Sequence, residues 1–241
     1  MIKQIGRFFV RFIPSGLLIP IFRGPLAGRK WIVGSAAGEG KGLSIIFNLS
    51  EPRQLEMTLK VAKPDFICFD IGANVGFYTL IFSQISKHVY AFEPLPRNLS
   101  YLYRTLAINH VDNATIVPFA VSDSISLSSF MEGENCAIGM LDHKGKIPTV
   151  TVSLDDFIST YKVVPQILKI DVEGAEMSVL MGAKNLLMTS SPIIFLSTHG
   201  EINRNKCLEF LLDVGYKHII PLNNELMDNA SEYLVMNREI E

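Results

Sequence analysis

The sequence predicts an α/β fold: a seven-stranded, mostly parallel sheet with helices on both faces, an antiparallel last strand and an N-terminal extension. Two observations carry that expectation. From about Pro64, short apolar runs of β-favouring residues alternate with longer amphipathic segments, and such alternation builds a parallel sheet between two helical layers. The first run passes through Asp70-Ile71-Gly72-Ala73-Asn74-Val75-Gly76 into a helix, and the second, residues 89–92, ends in Glu93. Acidic residues at two strand tips, with glycines where the chain turns, are the layout of a Rossmann-like nucleotide site at the carboxyl edge of a sheet.

Taken in order, residues 1–13 come first. Ile2, Ile5, Phe8, Phe9 and Phe12 share one face of a helical wheel and Lys3, Arg7 and Arg11 the other, so a basic amphipathic helix ending at Pro14 is expected. Its apolar face suits peripheral contact with a membrane or the core of its own domain. Residues 31–50 hold Gly34, Gly38, Gly40 and Gly42 around Lys41, but five residues separate Gly34 from Gly40 and Gly42 follows the lysine. That spacing fails a phosphate loop, and a glycine-rich hairpin or lid is expected. Core strands follow at 66–71, 88–92, 114–120, 166–170, 192–197, 217–221 and 232–236, and helices at 76–85, 96–109, 154–160, 174–187 and 202–214. Pro96 suits a first helical turn, where its missing N–H costs nothing, and Gly215 suits a terminator after Val214. Residues 121–152 break the alternation with short period-two runs, read as an inserted hairpin. No helix separates the last two strands, which should pair antiparallel.

Length and composition agree with one α/β domain, 59–241, behind an extension, 1–58, and 48% hydrophobic content is ample for a packed core. A net charge of −2 argues against a nucleic-acid partner. The charge is uneven, because residues 1–38 carry six basic side chains and no acid. Cys68, Cys136 and Cys207 show no paired spacing and are expected to be reduced and packed, as in a cytoplasmic protein, with peripheral contact at the inner membrane face. The apolar stretch 8–22 is interrupted by Arg11, Pro14 and Pro20 and falls short of the ~20 residues a span needs. Neither a span nor a cleaved leader is expected.

The glycine pattern selects the cofactor. A dinucleotide needs G-x-G-x-x-G so that its pyrophosphate sits on the helix N-terminus. Here the pattern is D-x-G-x-x-x-G, which puts the Asp70 carboxylate where a pyrophosphate would be repelled. S-adenosyl-L-methionine carries no phosphate and offers a cationic amino group, so the loop favours it. Glu93 is placed to accept hydrogen bonds from the ribose hydroxyls. A second motif, Leu168-Lys169-Ile170-Asp171-Val172-Glu173-Gly174-Ala175-Glu176, ends the fourth core strand at the same edge. Glu173 and Glu176 also favour the first turn of the following helix through its dipole, whereas Asp171 stands at the strand tip itself.

Together with Ala91-Phe92-Glu93-Pro94, Ala120-Val121-Ser122-Asp123, Val152-Ser153-Leu154-Asp155-Asp156-Phe157 and Leu180-Met181-Gly182-Ala183, these motifs resemble the FkbM family of S-adenosylmethionine-dependent methyltransferases over roughly residues 60–220. The resemblance implies a class I methyltransferase domain over 59–241 and O-methylation of a hydroxyl on a sugar, glycan or natural product. It implies that Asp70, Gly72, Asn74 and Gly76 line the methionine end of the cofactor, that Glu93 takes the ribose, and that Ala120 and Val121 flank the adenine with Asp123 or Ser122 near its amine. At one position the chain departs from the pattern, with Ser197 where relatives carry an acid two places before the histidine.

Methyl transfer to a hydroxyl gains most from near-attack placement and needs a base to take the hydroxyl proton. His199, with an ordinary pKa of ~6.5, is the first candidate, and Asp171 and Glu173 are the alternatives. The remaining histidines show no ligand spacing, and no metal is expected. Two other readings stand beside this one: a nicotinamide-dependent oxidoreductase on a Rossmann-like fold, and a non-catalytic, membrane-associated cofactor-binding protein.

Overall fold

The structure, a computed structural model, describes residues 14–36, 42–132, 139–141, 145–223 and 226–237. The basic segment 1–13, most of the glycine-rich run and Cys136 lie outside them. An antiparallel pair, β1 (Leu18–Pro20) and β2 (Lys30–Ile32), opens the described chain. This pair precedes the glycine-rich run, whose described part leads into helices α1 (Leu43–Ile46) and α2 (Pro52–Val61).

The central sheet is built from β3 (Ile67–Ile71), β4 (His88–Phe92), β5 (Ala114–Val117), β10 (Ile167–Ile170), β11 (Ile193–Ser197), β12 (His218–Pro221) and β13 (Glu232–Met236). Its spatial order is β12-β13-β11-β10-β3-β4-β5. The first five strands in chain order run parallel to one another. The last strand, β13, inserts antiparallel between β11 and β12, as its direct connection to β12 requires. Helices α3 (Phe77–Ile85), α4 (Pro96–Ile108), α5 (Leu154–Tyr161), α6 (Glu176–Met181), α7 (Lys184–Ser190) and α8 (Glu201–Asp213) connect the strands.

Period-two alternation along the strands makes two cores. Cys68, Val89, Ala91 and Phe195 face one side, where Trp31, Ile46 and Leu55 of the N-terminal elements join Leu80 and Phe82 of α3. Phe69, Ile71, Phe92, Leu168 and Ile170 face the other, against Phe157, Val179 and Leu187. Cys68 and Cys207 are free and buried. Among the described residues no helix is long and apolar enough to cross a membrane.

Three elements differ from expectation. The strand read over 114–120 is cut at Pro118, which has no N–H for the ladder, so Ala120–Val121 leaves the central sheet as β6. The inserted hairpin is larger, a four-stranded sheet in which β6 pairs with β9 (Ile147–Val152), and β7 (Ser126–Glu132) lies between β9 and β8 (Gly139–Leu141). The helix expected over 174–187 breaks at Gly182. A Cβ there would lie 2.0 Å from the Ser122 carbonyl oxygen, and the Gly182 carbonyl accepts from the Asp155 N–H at 2.9 Å. The Asp155 carboxylate then accepts from the N–H groups of Asn185 and Leu186, each at 2.9 Å, and so caps α7 from a different helix. Asp155→Ala is expected to cost about 1–2 kcal/mol in urea unfolding; a midpoint unchanged at constant m-value would refute the capping role.

Candidate active site

The carboxyl tips of β3, β4 and β10 surround a crevice at the point where the strand order reverses, β3 leading outward to β4 and β10 leading the other way. Gly72, Asn74, Glu93, Asp171 and Glu173 line its polar side, and Phe92, Leu95, Phe119, Ala120, Val121 and Phe130 its apolar side. Gly72 makes the closure possible. Its φ is +83°, and a Cβ there would stand 1.9 Å from the Asp171 carbonyl oxygen.

Glu93 is buried. Its Oε2 accepts from the Asn74 N–H at 2.8 Å and its Oε1 from the Leu95 N–H at 2.9 Å. Burial outweighs these bonds and pushes its pKa up to about 7. Asn74 is held in the left-handed region at φ +51°, and its Oδ1 is buried with no donor. An orphaned acceptor in the crevice wall is what a ligand donor would satisfy.

Asp70 is placed differently from expectation. It lies on the Cys68 side of β3, so its carboxyl points beneath α3, where it accepts from Thr79 Oγ1 at 2.6 Å and is buried away from the crevice lining. Burial pushes it up to about 6. Both raised carboxyls have the same consequence for stability. Each is protonated more readily in the folded than in the unfolded chain, so their contribution is full at acid pH and is lost as pH rises through about 6 and 7. Gly76, at φ +97°, precedes α3 and admits Leu102 of α4, since a Cβ would meet Leu102 Cδ1 at 2.7 Å. Asp123 is exposed, accepting from Ser124 Oγ at 3.0 Å. Neither Gly76 nor Asp123 is part of the crevice lining.

At the mouth of the crevice, β10 and β11 bring together groups far apart in the chain. His199 Nε2 lies 3.3 Å from Glu173 Oε2 and 3.9 Å from Asp171 Oδ1. Its Nδ1 is 2.8 Å from Oε1 of Glu176, a fully buried carboxylate that also accepts from the Gly174 N–H and from Asn203 Nδ2. The hydrogen bond to Glu176, with the charges of Glu173 and Asp171, raises the His199 pKa above its ordinary value despite partial burial. Glu173 is also raised, by burial first and then by its acidic neighbours, against the opposing pull of His199.

Lys169, almost fully buried, donates to Asp171 Oδ2 and Ser197 Oγ, both at 3.0 Å, and lies 5.2 Å over the Tyr78 ring. Burial opposes its charge, but the carboxylates of Asp171, Glu51 and Asp70 outweigh burial and its pKa is raised. Ser197, the departure noted in the sequence, thus receives a hydrogen bond from a buried cation. Asp171, Glu173 and His199 each present one ligand atom within 4.8 Å of the others, a set with the donor chemistry for a divalent cation. The sequence named the three as alternative bases, but residue spacing gave no hint that they share one cation-sized site, because the histidine follows a different strand. The roles of Glu176 and Lys169 were equally hidden inside a motif whose charges also suit a helix N-terminus.

Residues 70–226 match the methyltransferase FkbM domain. The hexuronic acid methyltransferase AglP of Haloferax volcanii is 30% identical over 147 residues, which cover 58% of this chain and 59% of that protein. The methyltransferase FkbM of Methylobacillus flagellatus KT is similar in structure, with a TM-score of 0.53 at 16% identity over 85% of this chain and 56% of that one. The precorrin-6y C5,15-methyltransferase of Geobacter metallireducens GS-15 gives a TM-score of 0.50 at 15% identity, covering 78% of this chain and 86% of its own. At such identities these two speak for the fold alone. The domain match spans well over half of the sequence and holds both strand-tip motifs, and by it this chain belongs to the FkbM methyltransferase family.

Proposed function

We propose that this chain transfers the methyl group of S-adenosyl-L-methionine to a hydroxyl oxygen of a sugar or glycan. One observation carries the reading: the described lining of the crevice contains the carboxylates Glu93, Asp171 and Glu173 and no basic side chain. Such a wall suits a cofactor that bears a sulfonium and an ammonium group and disfavours the pyrophosphate of a nicotinamide dinucleotide. The orphaned Asn74 Oδ1 supports the same cofactor, because an amino group is the donor it lacks. The similarity to AglP, a hexuronic acid methyltransferase, supports an acidic sugar as acceptor.

Bound S-adenosylmethionine would supply an electrophilic methyl group. The chain's residues would do the rest. Glu93 accepts from the ribose hydroxyls with the lone pairs left by Asn74, Leu95 and the Asn98 side chain, while Phe119, Ala120 and Val121 bound the adenine on its apolar side. His199, held by Glu176, takes the acceptor proton on Nε2, and Asp171 and Glu173 steady the imidazolium that results.

Glu93→Ala is expected to weaken S-adenosylmethionine binding about 10- to 150-fold by calorimetry, the loss of one charged hydrogen bond of roughly 1.5–3 kcal/mol. In the wild type, affinity should tighten as pH rises through about 7, where the Glu93 carboxyl ionises. Unchanged affinity in the variant, or tight binding of NAD by the wild type, would overturn the assignment.

A further inference from the structure

We infer that the N-terminal hairpin and the turn after α1 form an attachment face for an anionic membrane surface. Along β1 and beyond it, alternation turns Leu18, Pro20 and Phe22 outward while Ile21 is buried. Phe22 is 56% exposed and packs its ring 5.8 Å from that of Phe47, itself 46% exposed. Leu49 is 70% exposed and Leu18 44%. A hydrogen bond from the Phe22 N–H to the Ile46 carbonyl at 2.9 Å ties the two segments together, so Phe22 and Phe47 share one face, with Leu49 two residues beyond Phe47 and Leu18 on the strand that leads to Phe22. Large apolar side chains gathered on one surface mark an interaction site, unlike the same residues scattered singly.

The charges say what covers the face. Arg23, beside Phe22, and Lys30, on the neighbouring strand, are exposed. Arg29 is tied to the Asn109 carbonyl at 2.7 Å and Arg97 to the carbonyl of Ser35 at 2.9 Å. No Asp or Glu occurs anywhere in residues 14–36. Glu39 and Glu51 are the next acids along the chain, and Glu51 accepts from Gln54 and contributes to the field at Lys169 and Tyr78. Protruding Phe and Leu side chains with the exposed cations Arg23 and Lys30 beside them complement a fluid apolar layer beneath anionic headgroups, where insertion and electrostatic attraction add. Arg97 lies between Leu95 and Asn98, two residues of the crevice lining, so the stretch that follows the hairpin is bonded to the segment that bounds the candidate site. The inference stands independently of the methyl-transfer reading, since it needs no cofactor and no turnover.

The test is co-sedimentation of the full chain with vesicles of phosphatidylglycerol and phosphatidylcholine, beside vesicles of phosphatidylcholine alone, at low and at roughly tenfold higher salt. The wild type should bind the anionic vesicles at low salt, and high salt should release it. The double variant Phe22→Ser, Leu49→Ser should lose at least about tenfold in partitioning while keeping the wild-type melting temperature, because both side chains are largely in solvent. A variant lacking residues 1–13 should retain part of the binding through the folded face. Wild-type partitioning by the double variant, equal binding to neutral vesicles, or complete loss on deletion of residues 1–13 alone would overturn the inference.

Discussion

His199→Ala is expected to lower the rate of methyl transfer by ~10²–10⁴ while leaving cofactor affinity essentially unchanged. The imidazole touches Glu173, Asp171 and Glu176 but is not part of the crevice lining, so its loss removes proton transfer rather than a binding contact. The pH profile carries the diagnostic sign. A base works only when unprotonated, and its hydrogen bond to Glu176 raises the pKa of His199 above the ordinary histidine value. The rate should therefore fall as pH drops through a point above ~6.5. Glu176→Gln removes the charge that raises the histidine, and the acid limb should move down the pH scale. Glu173→Gln should likewise move the limb down with turnover largely kept if Glu173 only steadies the imidazolium, and should abolish turnover if Glu173 is the base. Chelation separates a further possibility: turnover lost to a chelator and restored by magnesium would assign the Asp171, Glu173 and His199 trio to a cation. A His199→Ala enzyme with near wild-type turnover would eliminate the histidine.

The largest effect on stability is expected at Gly72. Alanine there must place a Cβ 1.9 Å from the Asp171 carbonyl oxygen in a residue whose φ is +83°. Backbone cannot yield as a flexible side chain does. The tips of β3 and β10 would have to separate, straining the hydrogen bond from the Asp171 N–H to the Ile71 carbonyl at 3.0 Å. A loss of about 3–5 kcal/mol is expected, which lowers the melting temperature by about 10 °C in a chain of this size. Gly215→Ala is the control. Its φ of +102° carries the conformational penalty, but nothing lies within 4 Å of its Cβ, so only about 1–2 kcal/mol should be lost. Equal melting temperatures for the two variants would show that the close approach at Gly72 carries no strain.

The sequence by itself determined the alternation of strands and helices, the antiparallel end of the sheet and the family, because these depend on local period and on motifs written in consecutive residues. It placed Glu93 and Gly72 at strand tips for the same reason, since a tip is found wherever an apolar run meets a turn. Only the tertiary structure decided which way Asp70 points. One strand carries residues to both faces in turn, and the packing of α3 with its Thr79 determines where that carboxyl finds a partner. The meeting of His199 with Glu176 was equally out of reach of local pattern, because β10 and β11 must pair before the two side chains can touch. Gly182 marks the same divide. As a residue it reads as a tolerable glycine within a helix, but the Ser122 carbonyl and the Asp155 cap, both distant in sequence, compete for its backbone and end the helix there. Local periodicity specifies elements at low cost in information, whereas the pairing of buried polar groups depends on which elements pack together, and that is settled by the burial of the whole core.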